Sequence, residues 1–209
     1  MAEASQPPFV AAVVLAAGSA TRFGSAKQLA VVAGKPLVQH AVDAAGAGGA
    51  DEVVVVLGAN AEAIRAVLRL PPGARVVVNP DHEAGQSTSL RAGILAAADA
   101  ATAVVILLAD QPGVTSADVR AVIDAHRRGG ATIARAVYRG NPGHPVLLAR
   151  ALFGEALAAS GDAGARTLLA RHAAHVEQVA IDRAAPGDVD TRADLDDVRG
   201  DVSEPGNPG

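Results

Sequence analysis

Residues 10–18 read VAAVVLAAG, and the loop that follows them, residues 19–27, reads SATRFGSAK. The first stretch is apolar at consecutive positions rather than at every second one. Such continuous runs are typical of strands that are buried on both faces, as in a parallel sheet. Later runs of the same character are Val53–Leu57, Arg75–Val78 and Val104–Leu108. The sequence therefore predicts a series of parallel strands that begins with Val10–Leu15.

Ala-rich segments of helical length separate these runs. They predict helices at Leu37–Ala45, Ala61–Leu68, Ser89–Ala98 and Ser116–Arg128. Strands that alternate with helices form right-handed crossovers in an open sheet. We therefore predict an α/β protein with a Rossmann-like open, mostly parallel sheet, helices on both faces, and a single domain over residues 1–199.

The second half of the chain is less regular. It predicts strands at Ala131–Val137, His144–Leu148 and His175–Ile181, with a break in the chain at 140–143. Further helices are expected at Ala149–Ala159, after Gly164, and at Arg192–Val198. Residues 200–209 are polar and rich in Gly and Pro, and we expect a disordered tail there.

Composition excludes several classes of function. The 209 residues carry a net charge of −4 and only 2% aromatics, which argues against nucleic acid as a partner. The absence of cysteine excludes disulfides, thiolate catalysis and Cys-ligated zinc. The first residues, MAEASQPP, lack the basic region of a signal peptide, and the longest apolar run is half a membrane span. We expect a cytoplasmic protein without a membrane partner.

The loop after the first strand has the composition of a phosphate-binding loop. Gly18 and Gly24 permit a tight turn with inward N–H groups, and Arg22 and Lys27 add cations suited to phosphate. An ordinary loop with solvated cations explains this segment alone equally well. The spacing fits neither a Walker loop nor the Gly-x-Gly-x-x-Gly dinucleotide fingerprint. Lys27 and Lys35 are the only lysines, and we expect both beside this loop.

Two acidic segments are candidates for metal binding. Asp110 directly follows a buried strand, which places it at the same sheet edge as the glycine loop. A carboxylate there can hold Mg²⁺ together with substrate phosphates, although a turn or cap before Pro112 is a competing explanation. Asp188 and Asp190 precede the last helix, where Asp190 alone reads better as an N-terminal cap than as a ligand.

Small polar residues follow the third strand. Asn79, Gly85, Ser87 and Ser89 can hydrogen-bond a nucleobase or ribose, and ordinary helix capping explains them equally well. His144 lies between Gly143 and Pro145, where it either touches an anionic substrate or packs in the interior.

Taken together, these segments resemble the nucleotidyltransferase family that makes molybdenum cofactor dinucleotides. The resemblance runs from Val10 to Val198, and six motifs occur in the family's order. They are LAAG-x3-RFG-x2-K (15–27), GKPL (34–37), DQP (110–112), GHPV (143–146), GD-x-GAR (161–166) and D-x-DT (188–191). Ala17 and the GQSTS segment (85–89) resemble the molybdenum cofactor cytidylyltransferase branch. A branch with the same motifs contains a reductase of a nicotine-derived pigment.

The resemblance implies transfer of CMP from CTP to the phosphate of molybdenum cofactor, with Mg²⁺ as cofactor and release of pyrophosphate. It implies catalytic roles for Lys27, Arg22 and Asp110, and metal ligation by Asp110 and Asp190. The implied nucleotide-binding residues are Leu15, Ala16, Ala17, Gly18, Arg22, Lys27, Asn79, Gly85, Ser87, Ser89 and Asp110. The implied acceptor-binding residues are Gln111, Gly143, His144, Pro145, Asp162 and Arg166.

Two other classes of function stay open from the sequence. One is an NAD(P)-dependent reductase of a heteroaromatic pigment, against which the missing dinucleotide fingerprint counts. The other is a non-catalytic carrier of molybdenum cofactor, which would not need a metal-binding carboxylate. We expect a monomer or weak homodimer that contacts a recipient molybdoenzyme only transiently.

Overall fold

A seven-stranded open sheet forms the centre of the protein, in a computed structural model that describes residues 7–18, 23 and 26–203. The strand order is β5-β4-β1-β6-β8-β7-β9, and a separate two-stranded hairpin pairs β2 with β3. The strands are β1 (Val10–Ala16), β2 (Val31–Val32), β3 (Lys35–Pro36), β4 (Glu52–Leu57), β5 (Arg75–Val78), β6 (Ala103–Leu108), β7 (Ile133–Tyr138), β8 (Asn141–Ala149) and β9 (Val176–Ile181). All neighbours in the large sheet pair in parallel except β8, which is antiparallel to both β6 and β7.

Helices cover both faces of this sheet, as the sequence predicts. They are α1 (Leu37–Ala47), α2 (Ala61–Val67), α3 (Gln86–Ala96), α4 (Ser116–Gly129), α5 (Phe153–Ala158), α6 (Arg166–Arg171) and α7 (Arg192–Ser203). Buried side chains of α1, α2 and α4 form one core with one face of the sheet, and those of α3, α5 and α6 form a second core with the other face. In β1, Val10, Ala12 and Val14 enter the first core, while Ala11 and Val13 enter the second. The continuous apolar run reflects this burial on both faces.

The hairpin between β7 and β8 differs from the prediction of a break at 140–143. Arg139 and Gly140 both have positive φ, 44° and 88°, and form the whole turn by themselves. Pairing resumes at once, with Tyr138 opposite Asn141 and Val137 opposite Pro142. A two-residue turn of this kind matches the twist of the flanking strands. Gly140 therefore lies in the turn, and residues 141–143, which were expected to interrupt the chain, belong to β8.

The C-terminal part also differs from expectation. The helix expected over Ala149–Ala159 is divided into a 3₁₀ turn, Arg150–Leu152, and α5. Helix α7 continues to Ser203, past the point where we expected a disordered tail, and 204–209 lie outside the described residues. The Arg199 side chain donates two hydrogen bonds to the carbonyl of Val31, which ties the end of α7 to the β2–β3 hairpin.

The carboxyl ends of β4, β1 and β6 lie at one edge of the sheet. The backbone N–H of Ala109 donates to the carbonyl of Leu15 at 3.0 Å, which joins the residues that follow β6 to the end of β1. Because β8 runs in the opposite direction, its first residues lie at this edge as well. Ligands of open α/β sheets bind at such an edge. Within the described residues, no helix is long and apolar enough to cross a membrane.

Candidate active site

A cleft of about 300 Å³ opens at the carboxyl ends of β1 and β6, and we call it the main cleft. It brings together many of the residues predicted to bind nucleotide or acceptor, namely Leu15, Ala16, Ala17, Gly18, Lys27, Gly85, Ser89, Asp110 and Asp162. It also contains Gln86 of the predicted 85–89 segment, and residues that the sequence did not point to, namely Gln28, His82, Glu83, Leu108 and Ala109.

Lys27 joins the two predicted metal ligands. Its Nζ lies 2.8 Å from Oδ2 of Asp110 and 2.8 Å from Oδ1 of Asp190, and its side chain is only 12% exposed. A 3₁₀ turn, Lys27–Leu29, places the lysine. Burial by itself would lower the pKa of Lys27, but the attraction and hydrogen bonds of the two carboxylates outweigh it and raise this pKa above its ordinary value. The ammonium is therefore a fixed positive charge.

Asp190 does not serve as a helix cap. The start of α7 is capped by Thr191, whose hydroxyl accepts from the N–H of Asp194, while the Asp194 carboxylate accepts from the N–H groups of Asp190 and Thr191. This reciprocal arrangement is a capping box. The Asp190 carboxylate is thus left to contact Lys27.

Asp188 has a different partner. Its Oδ1 accepts a hydrogen bond of 2.6 Å from the Gln111 amide, whereas the site lysine contacts Asp190. Between the two acids, Val189 is fully buried and its N–H donates to the carbonyl of Asp110 at 2.9 Å. Asp190 is therefore the acid that shares Lys27 with Asp110, while Asp188 is held by Gln111.

The residues around Asp110 fit a divalent cation. Oδ1 of Asp110 is buried and has no hydrogen-bond partner within the described residues. Two carboxylates and one ammonium leave the cluster with a negative charge, which would repel a triphosphate. In the described parts of the chain, no group of three or more His, Asp or Glu side chains could hold a metal by itself. Mg²⁺ is commonly held in this way, through one or two carboxylates and the oxygens of substrate phosphates.

The start of α3 forms another wall of the main cleft. Its N-cap is Gly85, without a side-chain capping bond, so helix capping does not account for the serines that follow. Ser87 is fully buried and its Oγ has no partner within the described residues. Asn79 is buried and donates to the hydroxyls of Thr88 and Ser89, so it positions the serine rather than lining the cleft.

Gly85 and the 161–164 segment approach closely enough to form one surface. Gly85 has φ 109°, and a Cβ there would lie 2.5 Å from the carbonyl carbon of Gly161. Gly164 has φ 50°, and a Cβ there would clash with Oε1 of Gln86. Only glycine allows these contacts, which bring Asp162 into the main cleft.

Gln28 fixes the end of β1. Its amide donates to the carbonyl oxygens of Ala16, at 3.2 Å, and Gly18, at 2.7 Å, and the side chain is buried. It thereby shapes the backbone at the floor of the main cleft. No periodicity or motif in the sequence distinguishes this glutamine from a surface residue.

Other predicted residues lie apart from the main cleft or cannot be placed. Arg22 lies outside the described residues. Gln111 is buried and bound to Asp188, and Lys35 pairs with Asp43 of α1 at 2.5 Å. Lys35 therefore does not line the main cleft with Lys27, because the β2–β3 hairpin turns it toward α1.

A second cleft of about 340 Å³ lies between β7, β8, β9 and α6. We call it the arginine cleft because Arg135 and Arg166 both line it. Arg166 was predicted to bind the acceptor; Arg135 was not. Nε of Arg135 donates to the carbonyl of Gly143 at 3.3 Å, which links this cleft to the Gly143–Pro145 segment.

His144 is neutral at physiological pH. Burial, with the positive charges of Arg135 and Arg166, lowers its pKa from 6.5 to about 4 against the opposing attraction of Asp110. The carbonyl oxygen of His144 accepts a 2.6 Å hydrogen bond from the Tyr138 hydroxyl. The imidazole can thus offer a hydrogen bond at this edge but carries no charge.

This histidine should make stability depend on pH. Its pKa is lower in the folded protein, so between about pH 6.5 and pH 4 the unfolded chain binds a proton that the folded chain does not. Stability is then lost as the pH falls through this window, by about 2–3 kcal/mol at its acid end. Urea unfolding of wild type and His144→Gln at pH 7, 5.5 and 4.5 measures this. The variant should lose less stability on acidification, and equal losses would contradict the assignment.

This chain is similar to known proteins both in sequence and in structure. The family model described as the MobA-like NTP transferase domain matches residues 12–176. Nicotine blue oxidoreductase of Paenarthrobacter nicotinovorans is 38% identical over 192 residues, which are 88% of this chain and 93% of that protein. The crystal structure of Rv0371c from Mycobacterium tuberculosis H37Rv has a TM-score of 0.82 at 33% identity, covering 93% of this chain and 99% of that chain. A crystal structure of Rv0371c in complex with manganese has a TM-score of 0.79 at 31% identity, with the same coverage of both chains.

Proposed function

We propose that this chain, which belongs to the MobA-like NTP transferase family, transfers CMP from CTP to the phosphate of molybdenum cofactor. The observation that carries nucleotidyl transfer is the contact of Lys27 with both Asp110 and Asp190 at the end of the sheet where ligands bind. The choice of molybdenum cofactor as acceptor rests on the six motifs.

In this reaction an oxygen of the acceptor phosphate attacks the α-phosphorus of CTP. A new P–O bond forms as the bond to pyrophosphate breaks, and the acceptor phosphate is already ionised, so no protein base is needed. Such chemistry depends mainly on positioning and on neutralising charge. The glycine loop and Arg22 would hold the triphosphate, and Lys27 would stabilise charge at the α-phosphate.

Asp110 and Asp190 would hold Mg²⁺, which supplies neutralisation of phosphate charge when bound. The buried and unpartnered Oδ1 of Asp110 supports this assignment. The manganese complex of Rv0371c supports a divalent cation in a related protein. His144, Gly143, Asp162 and Arg166 would face the acceptor.

The proposal predicts a preference for CTP over GTP. Ala17 is buried at the wall of the main cleft, and its methyl group narrows the space that a purine would need. Ser89 lines the main cleft and can bind the edge of the smaller base, whereas Ser87 is fully buried and does not line it. Sites that hydrogen-bond a base edge can discriminate strongly against the wrong one. Incubation with each NTP, Mg²⁺ and molybdenum cofactor, followed by mass analysis, identifies the product.

Equal kcat/KM for CTP and GTP would reject the cytidylyl branch and leave nucleotidyl transfer in place. No nucleotide product with any NTP would reject the proposal itself.

A second candidate is reduction of a heteroaromatic pigment by NAD(P)H. It is favoured by the 38% identity to nicotine blue oxidoreductase across nearly the whole length of that protein. Loss of NAD(P)H absorbance with a pigment substrate, in the absence of NTP, would support this candidate. Binding of molybdenum cofactor with neither turnover would instead support a carrier that delivers the cofactor to a molybdoenzyme.

A further inference from the structure

The arginine cleft combines two positive charges with apolar walls. Arg135 projects from β7 and Arg166 from the first turn of α6, and both line the cleft. Most of the remaining lining is apolar and includes Val137, Leu169 and Val176. A surface of this kind suits a ligand with an anionic group on an apolar body.

The two arginines lack the acidic partners that other arginines of this protein have. Arg139 pairs with Asp182 and Arg171 with Glu155. In contrast, neither Arg135 nor Arg166 forms an ion pair within the described residues, and the protein contact of Arg135 is the Gly143 carbonyl. Burial, and then the charge of Arg166, lower the pKa of Arg135. Two guanidinium groups facing one cleft repel each other until an anion lies between them.

The position of the cleft connects it to the reaction edge. Arg135 contacts Gly143, and the next residue, His144, is influenced by the charges of Arg135, Arg166 and Asp110 together. The arginine cleft therefore lies on the β8 side of the main cleft, two or more strands away from β1 in the sheet. Its positive charge is placed to bind a group other than the triphosphate.

We propose that the arginine cleft is a subsite for the acceptor, in which Arg135 and Arg166 together bind an oxyanion of the acceptor and the apolar walls hold its body. Arginine suits this task because its planar fork makes two parallel hydrogen bonds to phosphate or carboxylate. The assignment of the cleft to the acceptor rests on the proposed function. The binding of an oxyanion there does not.

Calorimetric titration with phenyl phosphate tests the proposal, because this probe joins a phosphate monoester to an apolar ring. Wild type should bind phenyl phosphate more tightly than inorganic phosphate and should show no binding of phenol. Benzoate distinguishes a carboxylate site from a phosphate site. Arg135→Gln and Arg166→Gln should each weaken binding of the preferred anion about tenfold, which is the scale of one hydrogen bond to a charged group.

Arg139→Gln is the matched control, since it removes the same charge from a side chain that is 64% exposed and already paired with Asp182. It should bind the probe as wild type does. Circular dichroism checks the fold of each variant. Because Arg166 is exposed, Arg166→Gln still tests the subsite if Arg135→Gln does not fold. Wild-type affinity in both Arg135→Gln and Arg166→Gln would overturn the subsite.

These titrations contain no nucleotide, so their result is independent of transferase activity. Loss of probe binding in the variants, together with no turnover of any NTP by wild type, would retain the oxyanion site and reject the proposed function. Turnover by wild type with an unchanged acceptor KM in both variants would reject the subsite as part of the acceptor site.

Discussion

Replacing Asp110 with asparagine is expected to lower the rate of nucleotidyl transfer by roughly 10³-fold while the protein still folds. The amide has the shape of the carboxylate, but it carries no charge to neutralise Mg²⁺ or to attract Lys27. Oδ2 of Asp110 is 2.8 Å from Lys27 Nζ, and Oδ1 has no partner in the described chain and is free to bind Mg²⁺. The substitution therefore weakens both the contact with Lys27 and the binding of the metal. Steady-state kinetics with CTP measure the loss of rate, and a wild-type rate would show that the metal assignment is wrong.

Asp188→Asn and Asp190→Asn provide a matched comparison. Both remove one negative charge from the same loop, but only Asp190 contacts Lys27, while Asp188 binds Gln111. Asp190→Asn should therefore reduce turnover much more, and it should raise the Mg²⁺ concentration needed for half-maximal rate. If the two variants are equally impaired, Asp190 is not the second ligand.

Removal of the Lys27 ammonium should lower kcat by roughly 10²–10³, the effect of deleting one preorganised charge stabiliser. An interaction with charge that develops during transfer affects kcat, whereas one made equally with bound substrate affects KM. Lys27→Ala should therefore change mainly kcat. Lys27→Arg should also be impaired, because the wider guanidinium does not fit between two carboxylates that each lie 2.8 Å from Nζ.

Lys35→Ala is the control for this experiment, since Lys35 is the other lysine and pairs with Asp43 at the surface. It should keep wild-type kinetics. Arg22→Ala should mainly raise the KM for CTP, because Arg22 is proposed to hold phosphates that are fully charged on binding. An unchanged kcat in Lys27→Ala would reject the proposed role of Lys27.

The parallel part of the fold was predictable because burial on both faces leaves a simple trace in the sequence. Val10–Leu15, Val53–Leu57 and Val104–Leu108 are apolar at every position and form buried strands as predicted. Arg75–Val78 is also a strand, but the prediction that it is buried on both faces is wrong, because β5 lies at the edge of the sheet and both of its ends are exposed. The β2–β3 hairpin was not predicted, because two strands of two residues each are too short to show a periodicity. The Asn141–Gly143 segment was misread because Pro and Gly were taken as a break, whereas Arg139 adopts a positive φ and lets Gly140 complete the turn.

The site was predictable where chemistry and position agree. Asp110 follows a buried strand and Lys27 follows a glycine loop, so both were expected at the edge where the structure places them. Asp190 appeared to be a cap, and only the capping box of Thr191 and Asp194 frees it. Arg135 was not predicted as a site residue, because a single arginine in a strand forms no recognisable motif. Its position becomes informative only in the fold, where α6 places Arg166 in the same cleft.

Because β8 runs opposite to its neighbours, sequence changes on the acceptor side of this protein can occur independently of changes at the nucleotide-binding strands β1 and β6. The pairing of β8 with β6 extends to Val146 opposite Ile106, and the residues before Val146 project toward the proposed acceptor side. Insertions in the Arg139–Gly140 turn would therefore alter that side while β1 and β6 keep their register. A change confined to the β7–β8 hairpin can in this way alter which acceptor is bound, while the nucleotide-binding residues at the ends of β1 and β6 keep their positions. Relatives with the same loops around Lys27 can accordingly differ in what they act on.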